Sequence, residues 1–84
     1  SPDSATEIFT DQWNNLWSIS SGLSIFRKAH GDSSWKRIIY ADAKRQCYPK
    51  VALNKDRSIA YIYSQSCDDS NTVSVHALEL IPGS

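Results

Sequence analysis

Two cysteines are the residues of this chain best suited to covalent chemistry. Cys47 and Cys67 stand near the ends of the segment QCYPKVALNKDRSIAYIYSQSC, with two short apolar runs and a polar turn between them. Neither belongs to a Cys-x-x-Cys motif or has a histidine nearby, whereas a zinc site needs about four convergent ligands. The pattern therefore favours a disulfide, which is typical of secreted proteins; two unpaired buried thiols are the alternative. We expect no metal and no cofactor.

Acid–base chemistry would rest on two histidines that stand far apart in the chain. His30 belongs to a turn-like His-Gly-Asp segment, and His76 lies in an apolar run near the C-terminus. General acid–base catalysis needs such groups to be positioned against a reacting atom, and a lone histidine more often has a surface or structural role. The sequence has no glycine-rich phosphate loop and no serine in a nucleophile elbow. These patterns predict that the protein is not an enzyme; a residual nuclease using either histidine is the remaining alternative.

The basic residues form a block in the middle of a chain whose net charge is zero. All nine Lys and Arg lie between Arg27 and Arg57, where three aspartates oppose them, so this segment carries +6 and each flank −3. Adjacent cations recur in the block, at Arg27-Lys28, Lys36-Arg37 and Lys44-Arg45. They are either ordinary solvated residues of strands and turns or a basic surface for an anionic partner, which would be nucleic acid or an acidic protein patch.

The first part of the chain has the pattern of an amphipathic helix. Ser4 and Glu7 have the spacing of a capping box, which satisfies the first N–H groups of a helix. Gly22 is a plausible terminator of this helix. Apolar residues follow a 3.6-residue period, at Ala5, Ile8, Phe9, Trp13, Leu16 and Trp17. We expect a helix over residues 5–17 with its tryptophans buried.

Beyond Gly22 the chain has the pattern of short strands. β-Branched or aromatic runs alternate with the turn-like segments HGDSS, NKDR and CDDSN. The runs occupy residues 23–28, 35–41, 50–53, 59–64 and 72–80. One helix followed by about five strands predicts an α+β fold, a single small domain over residues 1–84 in which the helix packs on an antiparallel sheet at about 23–80. The final Pro-Gly-Ser segment, residues 82–84, reads as a loose tail.

The segment between the cysteines predicts a hairpin with two different faces. With its turn at residues 54–58 and Lys50 opposite Gln65, one face is apolar and suits the core: Val51, Leu53, Ala60 and Ile62. A bulge at Pro49, which donates no ladder hydrogen bond, would let the two cysteines meet. The other face carries aromatic and polar residues. Together with two basic pairs it forms the candidate binding surface: Tyr48, Lys50, Tyr61, Tyr63, Gln65, Arg27, Lys28, Lys36 and Arg37.

The same hairpin carries a family resemblance. The run KVALNKDRSIAYIYSQSCDDSNTVSV resembles the closing hairpin of the guanyl-specific fungal ribonucleases, and SGLSIF and SWKRII resemble an earlier loop and strand of that family. The resemblance implies a helix on an antiparallel sheet. It also places the family's catalytic His at Gln65, its Arg at Lys50 and its Glu near Ser34. Because glutamine does not exchange a proton near neutral pH, the resemblance implies a scaffold that has lost catalysis.

Filamentous plant pathogens reuse this ribonuclease scaffold in secreted effectors, and the chain resembles those effectors more than the enzymes. The resemblance implies a secreted protein that acts inside the host cell by binding a host protein or RNA without cleavage, and that a plant immune receptor detects. The chain opens on Ser-Pro-Asp and contains no Met, which we interpret as a mature form after signal-peptide removal. No apolar run approaches the roughly 20 residues that span a bilayer, so we expect no membrane partner.

Two alternatives remain, the first from the same biology and the second from another functional class. Cys47, the Val51–Leu53 run and Asp56 also resemble the pattern of the MAX family, six-strand β-sandwich avirulence proteins and toxins of cereal-infecting fungi. That family pairs this cysteine with one near the start of the chain, which is missing here. The second alternative is a secreted carbohydrate-binding or inhibitor module that uses exposed tryptophans as stacking platforms: Trp13, Trp17 or Trp35.

Overall fold

The structure of the chain, a computed structural model, describes residues 7–20, 22–38, 46–69 and 71–80. These residues form two antiparallel sheets in which strands that follow each other in the chain are neighbours. The first sheet consists of β1 (Glu7–Thr10), β2 (Leu16–Ser20), β3 (Ser24–Lys28) and β4 (Lys36–Ile38). The second consists of β5 (Gln46–Leu53), β6 (Ile59–Ser66) and β7 (Val73–Glu79).

The predicted helix over residues 5–17 is wrong, because the described part of this segment is the β1–β2 hairpin. Phe9 pairs with Trp17 across the two strands. The hairpin turns at Asp11, whose carboxylate accepts the backbone N–H groups of Trp13 at 2.8 Å and Asn15 at 3.0 Å. A short side chain that bonds the backbone this closely favours a turn over a helix. Residues 4–6, which include Ser4 of the proposed capping box, lie outside the described residues.

The α+β fold class is therefore wrong as well. In place of a helix on one sheet, the two sheets share a core, to which the first contributes Trp17, Ile19 and Ile25 and the second contributes Ala60 and Ile62. This arrangement is closer to the alternative β-sandwich, although the described residues contain seven strands rather than six. None of the described residues belongs to a helix that is long and apolar enough to cross a membrane.

The strands predicted beyond Gly22 are confirmed in number and order. The three polar segments between them are turns or irregular connections where the structure describes them. Two details differ: the hairpin strands around residue 50 are longer than predicted, and the run 35–41 is a strand over Lys36–Ile38, with residues 39–41 outside the described part. Gly22 has a φ of +82° in the turn between β2 and β3 and does not end a helix.

The β5–β6 hairpin has the predicted faces but not the predicted register. Lys50 lies opposite Tyr63 rather than Gln65, while Val51 pairs with Ile62 in the core. A slip of two residues keeps every side chain on its own face, whereas a slip of one would reverse them. The Asn54 side chain closes the turn by accepting the N–H of Ser58 at 2.8 Å and of Ile59 at 2.9 Å.

The predicted bulge and disulfide are both confirmed. The β5–β6 register shifts between Cys47 and Lys50, with Tyr48 at a φ of +56° and Pro49 buried. The shift places Cys47 opposite Gln65 and brings its Cα within 5.1 Å of that of Cys67, to which it is disulfide-bonded. The disulfide therefore staples the open end of the hairpin next to the bulge, as the sequence predicted.

Candidate binding surfaces

The outward face of the second sheet exposes three tyrosines. The exposed fractions are 70% for Tyr48, 43% for Tyr61 and 44% for Tyr63, and two valines of β7 next to them are also exposed. These side chains alternate along their strands with buried ones such as Ile62 and Ser64. We call this surface the tyrosine face and define it as Tyr48, Lys50, Ala52, Tyr61, Tyr63, Gln65, Val73, Val75 and Ala77.

The tyrosine face is organised in rows that cross all three strands. In one row Tyr61 lies between Ala52 and Ala77, and in the next Tyr63 lies between Lys50 and Val75. Small neighbours leave the Tyr61 ring open to a partner. Because the backbone below is held in the β5–β6–β7 ladder, the rings are presented on a platform that need not be ordered on binding.

The structure brings together only part of the predicted binding set. Tyr48, Lys50, Tyr61, Tyr63 and Gln65 share the tyrosine face, with Gln65 half-buried. The two basic pairs of this set, Arg27-Lys28 and Lys36-Arg37, lie on the first sheet.

Within each basic pair the two side chains point to opposite faces of the first sheet, since neighbours in a strand alternate. Arg27 and Lys36 are opposite each other on β3 and β4, while Lys28 and Arg37 lie on the other face. These four cations therefore do not form one basic surface. The third pair, at residues 44 and 45, lies outside the described residues.

Arg27 is part of a buried aromatic row that the sequence did not reveal. Its exposed fraction is 7%, and its guanidinium carbon lies 5.7 Å from the centroid of the Trp17 ring. Phe9 stacks on the same indole, with centroids 6.2 Å apart and planes within 1°. Trp17 Nε1 donates to the fully buried carboxylate of Asp11 at 2.8 Å. A buried cation over an indole is held by cation–π attraction as well as by packing.

A cleft of about 350 Å³ opens beside this row, at the β3–β4 edge of the first sheet. Its lining contains two cations, one carboxylate, a hydroxyl and an indole ring, from Arg27, Ala29, Asp32, Ser34, Trp35 and Lys36. Sequence reasoning singled out the cations and Trp35 separately. It did not place them together, because Asp32 and Ser34 belong to a turn-like segment that carries no binding motif.

The three tryptophans differ in exposure. Trp17 is buried, as predicted, with an exposed fraction of 2%. The predicted burial of Trp13 is wrong: it lies in the β1–β2 turn and is 39% exposed, because the turn at Asp11 replaces the helix that would have covered it. Trp35 is half-buried at the cleft.

The positions at which the resemblance would place ribonuclease catalytic residues do not all lie on one sheet. Lys50 and Gln65 lie on the second sheet and face Tyr63 and Cys47 respectively, while Ser34 lies in the β3–β4 connection of the first. The two histidines are separated in the same way. His30 is exposed after β3 and His76 is half-buried on β7.

Metal binding finds no support in the described part of the chain, where no group of three or more His, Cys, Asp and Glu side chains could hold an ion. In comparisons with known proteins, no family model, no curated protein and no solved structure matches this chain. The resemblances to ribonuclease-like and sandwich effectors therefore remain predictions, and a functional proposal has to rest on the surfaces themselves.

Proposed function

We propose that this chain is a secreted binding protein without catalytic activity, which engages a protein partner through the tyrosine face. The observation that carries the proposal is the contiguous exposure of Tyr61, Tyr63 and Val75 on adjacent strands of a rigid sheet. Soluble proteins rarely leave such a patch uncovered unless another molecule binds there.

The composition of the tyrosine face favours a protein over a nucleic acid. Tyrosine is enriched and charge is depleted in the centres of protein interfaces. Lys50 is the one cation among the nine residues of the face, and the Arg27 and Lys36 pair lies on the other sheet. A nucleic-acid surface instead needs several cations along the phosphate backbone.

We propose that the protein acts as a plant-pathogen effector. The disulfide is compatible with an extracellular protein. We propose, from the motif resemblance alone, that the protein is delivered into the host cell, where it binds a host protein and is detected by an immune receptor. The ribonuclease-like scaffold is no part of this proposal, because the described fold is all-β.

The test compares three oxidised proteins as baits in plant cell extract, with retained proteins quantified by mass spectrometry. Tyr61→Ala combined with Tyr63→Ala should lose the partner that the wild type retains. Ile8→Ala is the matched control, since Ile8 is 60% exposed on the first sheet, and it should keep that partner. Retention of the same partner by the double variant, with an unchanged circular dichroism spectrum, would exclude the tyrosine face as the binding surface.

A second candidate function, carbohydrate binding, is favoured by the exposure of Trp13. The turn that presents this ring is held by the Asp11 carboxylate, and exposed Gln12 and Asn14 flank it with hydrogen-bonding amides. An aromatic platform edged by polar groups suits a sugar ring. Addition of neutral plant cell-wall oligosaccharides, which carry no uronic acid, should then change the tryptophan fluorescence of the wild type but not of Trp13→Phe. An equal change of fluorescence in both proteins would exclude Trp13 as the sugar-binding ring.

A further inference from the structure

We propose that the cleft at the β3–β4 edge binds a singly charged sugar acid, such as the terminal uronic acid of an oligosaccharide. This site is separate from the tyrosine face and from Trp13. Its volume of about 350 Å³ is at the lower end for small-molecule sites, which suits one or two sugar rings. Its lining supplies a ring, a hydroxyl and charges of both signs, from Arg27, Ala29, Asp32, Ser34, Trp35 and Lys36.

The two cations are placed to hold one carboxylate between them. Arg27 and Lys36 are direct partners in the β3–β4 ladder, so their side chains leave the same face of the sheet side by side. Arg27 is recessed and Lys36 is exposed at the rim. A guanidinium presents five N–H donors in a planar arrangement that matches a carboxylate. Arg27 can therefore keep a contact within the protein and donate to the carboxylate of a ligand at the same time.

Arg27 is fixed in place before any ligand arrives. Its guanidinium lies over the Trp17 ring, which stacks on Phe9 and is anchored through its Nε1–H to Asp11. An exposed arginine would lose side-chain freedom on binding, whereas this one has lost it on folding. Such preorganisation lowers the entropic cost of capturing an anion.

The remaining lining residues favour a sugar over a phosphate compound. Trp35 offers a ring against which the C–H face of a sugar can pack, and Asp32 and Ser34 can hydrogen-bond its hydroxyl groups. The described lining residues include two cations and one carboxylate, a net charge of +1 that a single carboxylate neutralises. Asp32 repels any bound anion, and it repels a phosphate monoester with nearly two negative charges more strongly than a single carboxylate.

The test titrates the oxidised full chain with galacturonate, which carries one carboxylate, with neutral galactose as the uncharged comparison, and follows binding by calorimetry and NMR amide shifts. Galacturonate should bind at one site, with shifts confined to β3, β4 and their connection, and galactose should bind at least about tenfold more weakly. Lys36→Gln and Trp35→Ala should each weaken galacturonate binding about tenfold. Arg37→Gln removes the same charge from the next residue of β4, on the opposite face, and should leave binding unchanged.

Three outcomes would overturn the proposal. No saturable binding of galacturonate would exclude a sugar-acid site, and tighter binding of uridine monophosphate at the same residues would assign the cleft to nucleotides. Equal losses of galacturonate affinity in Lys36→Gln and Arg37→Gln would show unspecific attraction to charge. The double variant Tyr61→Ala, Tyr63→Ala changes residues of the other sheet and should still bind galacturonate, so failure of this site and failure of the tyrosine face are distinguishable.

Discussion

At the scale of single residues, Asp11 organises more of the molecule than any site residue singled out from the sequence. Its fully buried carboxylate accepts four hydrogen bonds, from the backbone of Trp13 and Asn15, from Asn15 Nδ2 at 3.1 Å and from Trp17 Nε1. These bonds close the first turn and orient Trp17 beneath Arg27. Burial of a carboxylate is tolerated because its oxygens are satisfied by donors.

Asp11→Ala should therefore destabilise the protein strongly. The change leaves Trp17 Nε1 and the Asn15 side chain buried without their acceptor, and an unsatisfied buried group costs about 1–3 kcal/mol. We expect the free energy of unfolding in denaturant to fall by about 3 kcal/mol. Asp32→Ala removes an exposed carboxylate and should change it by less than about 0.5 kcal/mol. Similar losses of unfolding free energy in Asp11→Ala and Asp32→Ala would contradict the structural role assigned to the Asp11 carboxylate.

A second residue-scale prediction concerns pH. The Ser58 hydroxyl donates to Asp56 at 2.6 Å and lowers the pKa of this carboxyl below its ordinary value of 3.8. Because the folded state favours the charged form, the resulting stabilisation is present above pH 3.8 and is lost as the pH falls through the lower, folded-state pKa. Ser58→Ala should raise the pKa of Asp56, measured by NMR of the carboxyl carbons.

Asp69 provides the internal control for this titration. The Thr72 hydroxyl and the Asn71 N–H lower the pKa of Asp69 in another turn, so Ser58→Ala should leave that value unchanged. A shift of both carboxyls would point to a global change of structure, and a shift of neither would exclude the Ser58 hydroxyl as the cause.

At the scale of elements, the stapled hairpin is the part of the molecule on which the tyrosine face depends. The bulge places Tyr48 and Lys50 on the same exposed face, with Pro49 between them buried. The Ser64 hydroxyl donates to Gln46 Oε1 at 2.8 Å on the buried side, and the disulfide closes the open end. Loss of the disulfide should thus loosen the end that carries Tyr48 before it affects the turn at Asn54.

Replacement of both cysteines by serine tests this dependence. The disulfide joins residues 20 apart in sequence, and closing a loop of this size stabilises the folded state by about 3 kcal/mol on the chain-entropy model. We expect the free energy of unfolding to fall by about that amount, and amide exchange to accelerate first at Gln46 and Ser66. Equal unfolding free energies for the oxidised wild type and the Cys47→Ser, Cys67→Ser variant would show that the disulfide does not stabilise the hairpin.

The first hairpin also shows why one element was mispredicted. Phe9, Trp13 and Trp17 are spaced four residues apart, which places them on one stripe of a helix. Phe9 and Trp17 are instead direct partners across the β1–β2 hairpin, and direct partners in a ladder share one face of the sheet, so the same residues also suit a hairpin. The distinguishing residue is Asp11, which interrupts the stripe with a side chain that favours turns.

At the scale of the whole molecule, the two sheets depend on each other for burial. Ile25 of β3 and Ile62 of β6 are fully buried in the same cluster, which Leu80 closes after β7. The ends of the two sheets are joined by the hydrogen bond from Gln12 N to Arg57 O, at 3.1 Å. Neither sheet has a second layer of its own among the described residues, so each forms the cover of the other.

This mutual burial predicts one cooperative unfolding transition. Ile25→Ala and Ile62→Ala should each lower the free energy of unfolding by about 3 kcal/mol, since both leave a cavity in the shared core. In either variant the amide signals of β2 and β6 should vanish at the same denaturant concentration. Ile8→Ala, at an exposed position, is the control and should change little. Separate midpoints for β2 and β6 would show that the sheets unfold independently.

Sequence patterns alone predict the local features of this protein. Alternation of apolar and polar residues predicts the strands beyond Gly22 and the exposure of Tyr61 beside Tyr63. Turn residues and the chemistry of single side chains predict the turn at Asn54, the bulge at Pro49 and the pairing of Cys47 with Cys67. These are properties of short segments, and short segments can be analysed without the rest of the chain.

How these segments combine depends on tertiary contacts. The first segment forms a hairpin rather than the predicted helix, and the β5–β6 register differs by two residues from the predicted one. Arg27, Trp35 and Lys36 line one cleft, whereas Arg27 and Lys28 lie on opposite faces of the sheet. Each outcome depends on which face of a strand is covered by a distant part of the chain. Burial against a partner sheet depends on residues far away in the sequence, so the local periodicity of a segment does not predict it.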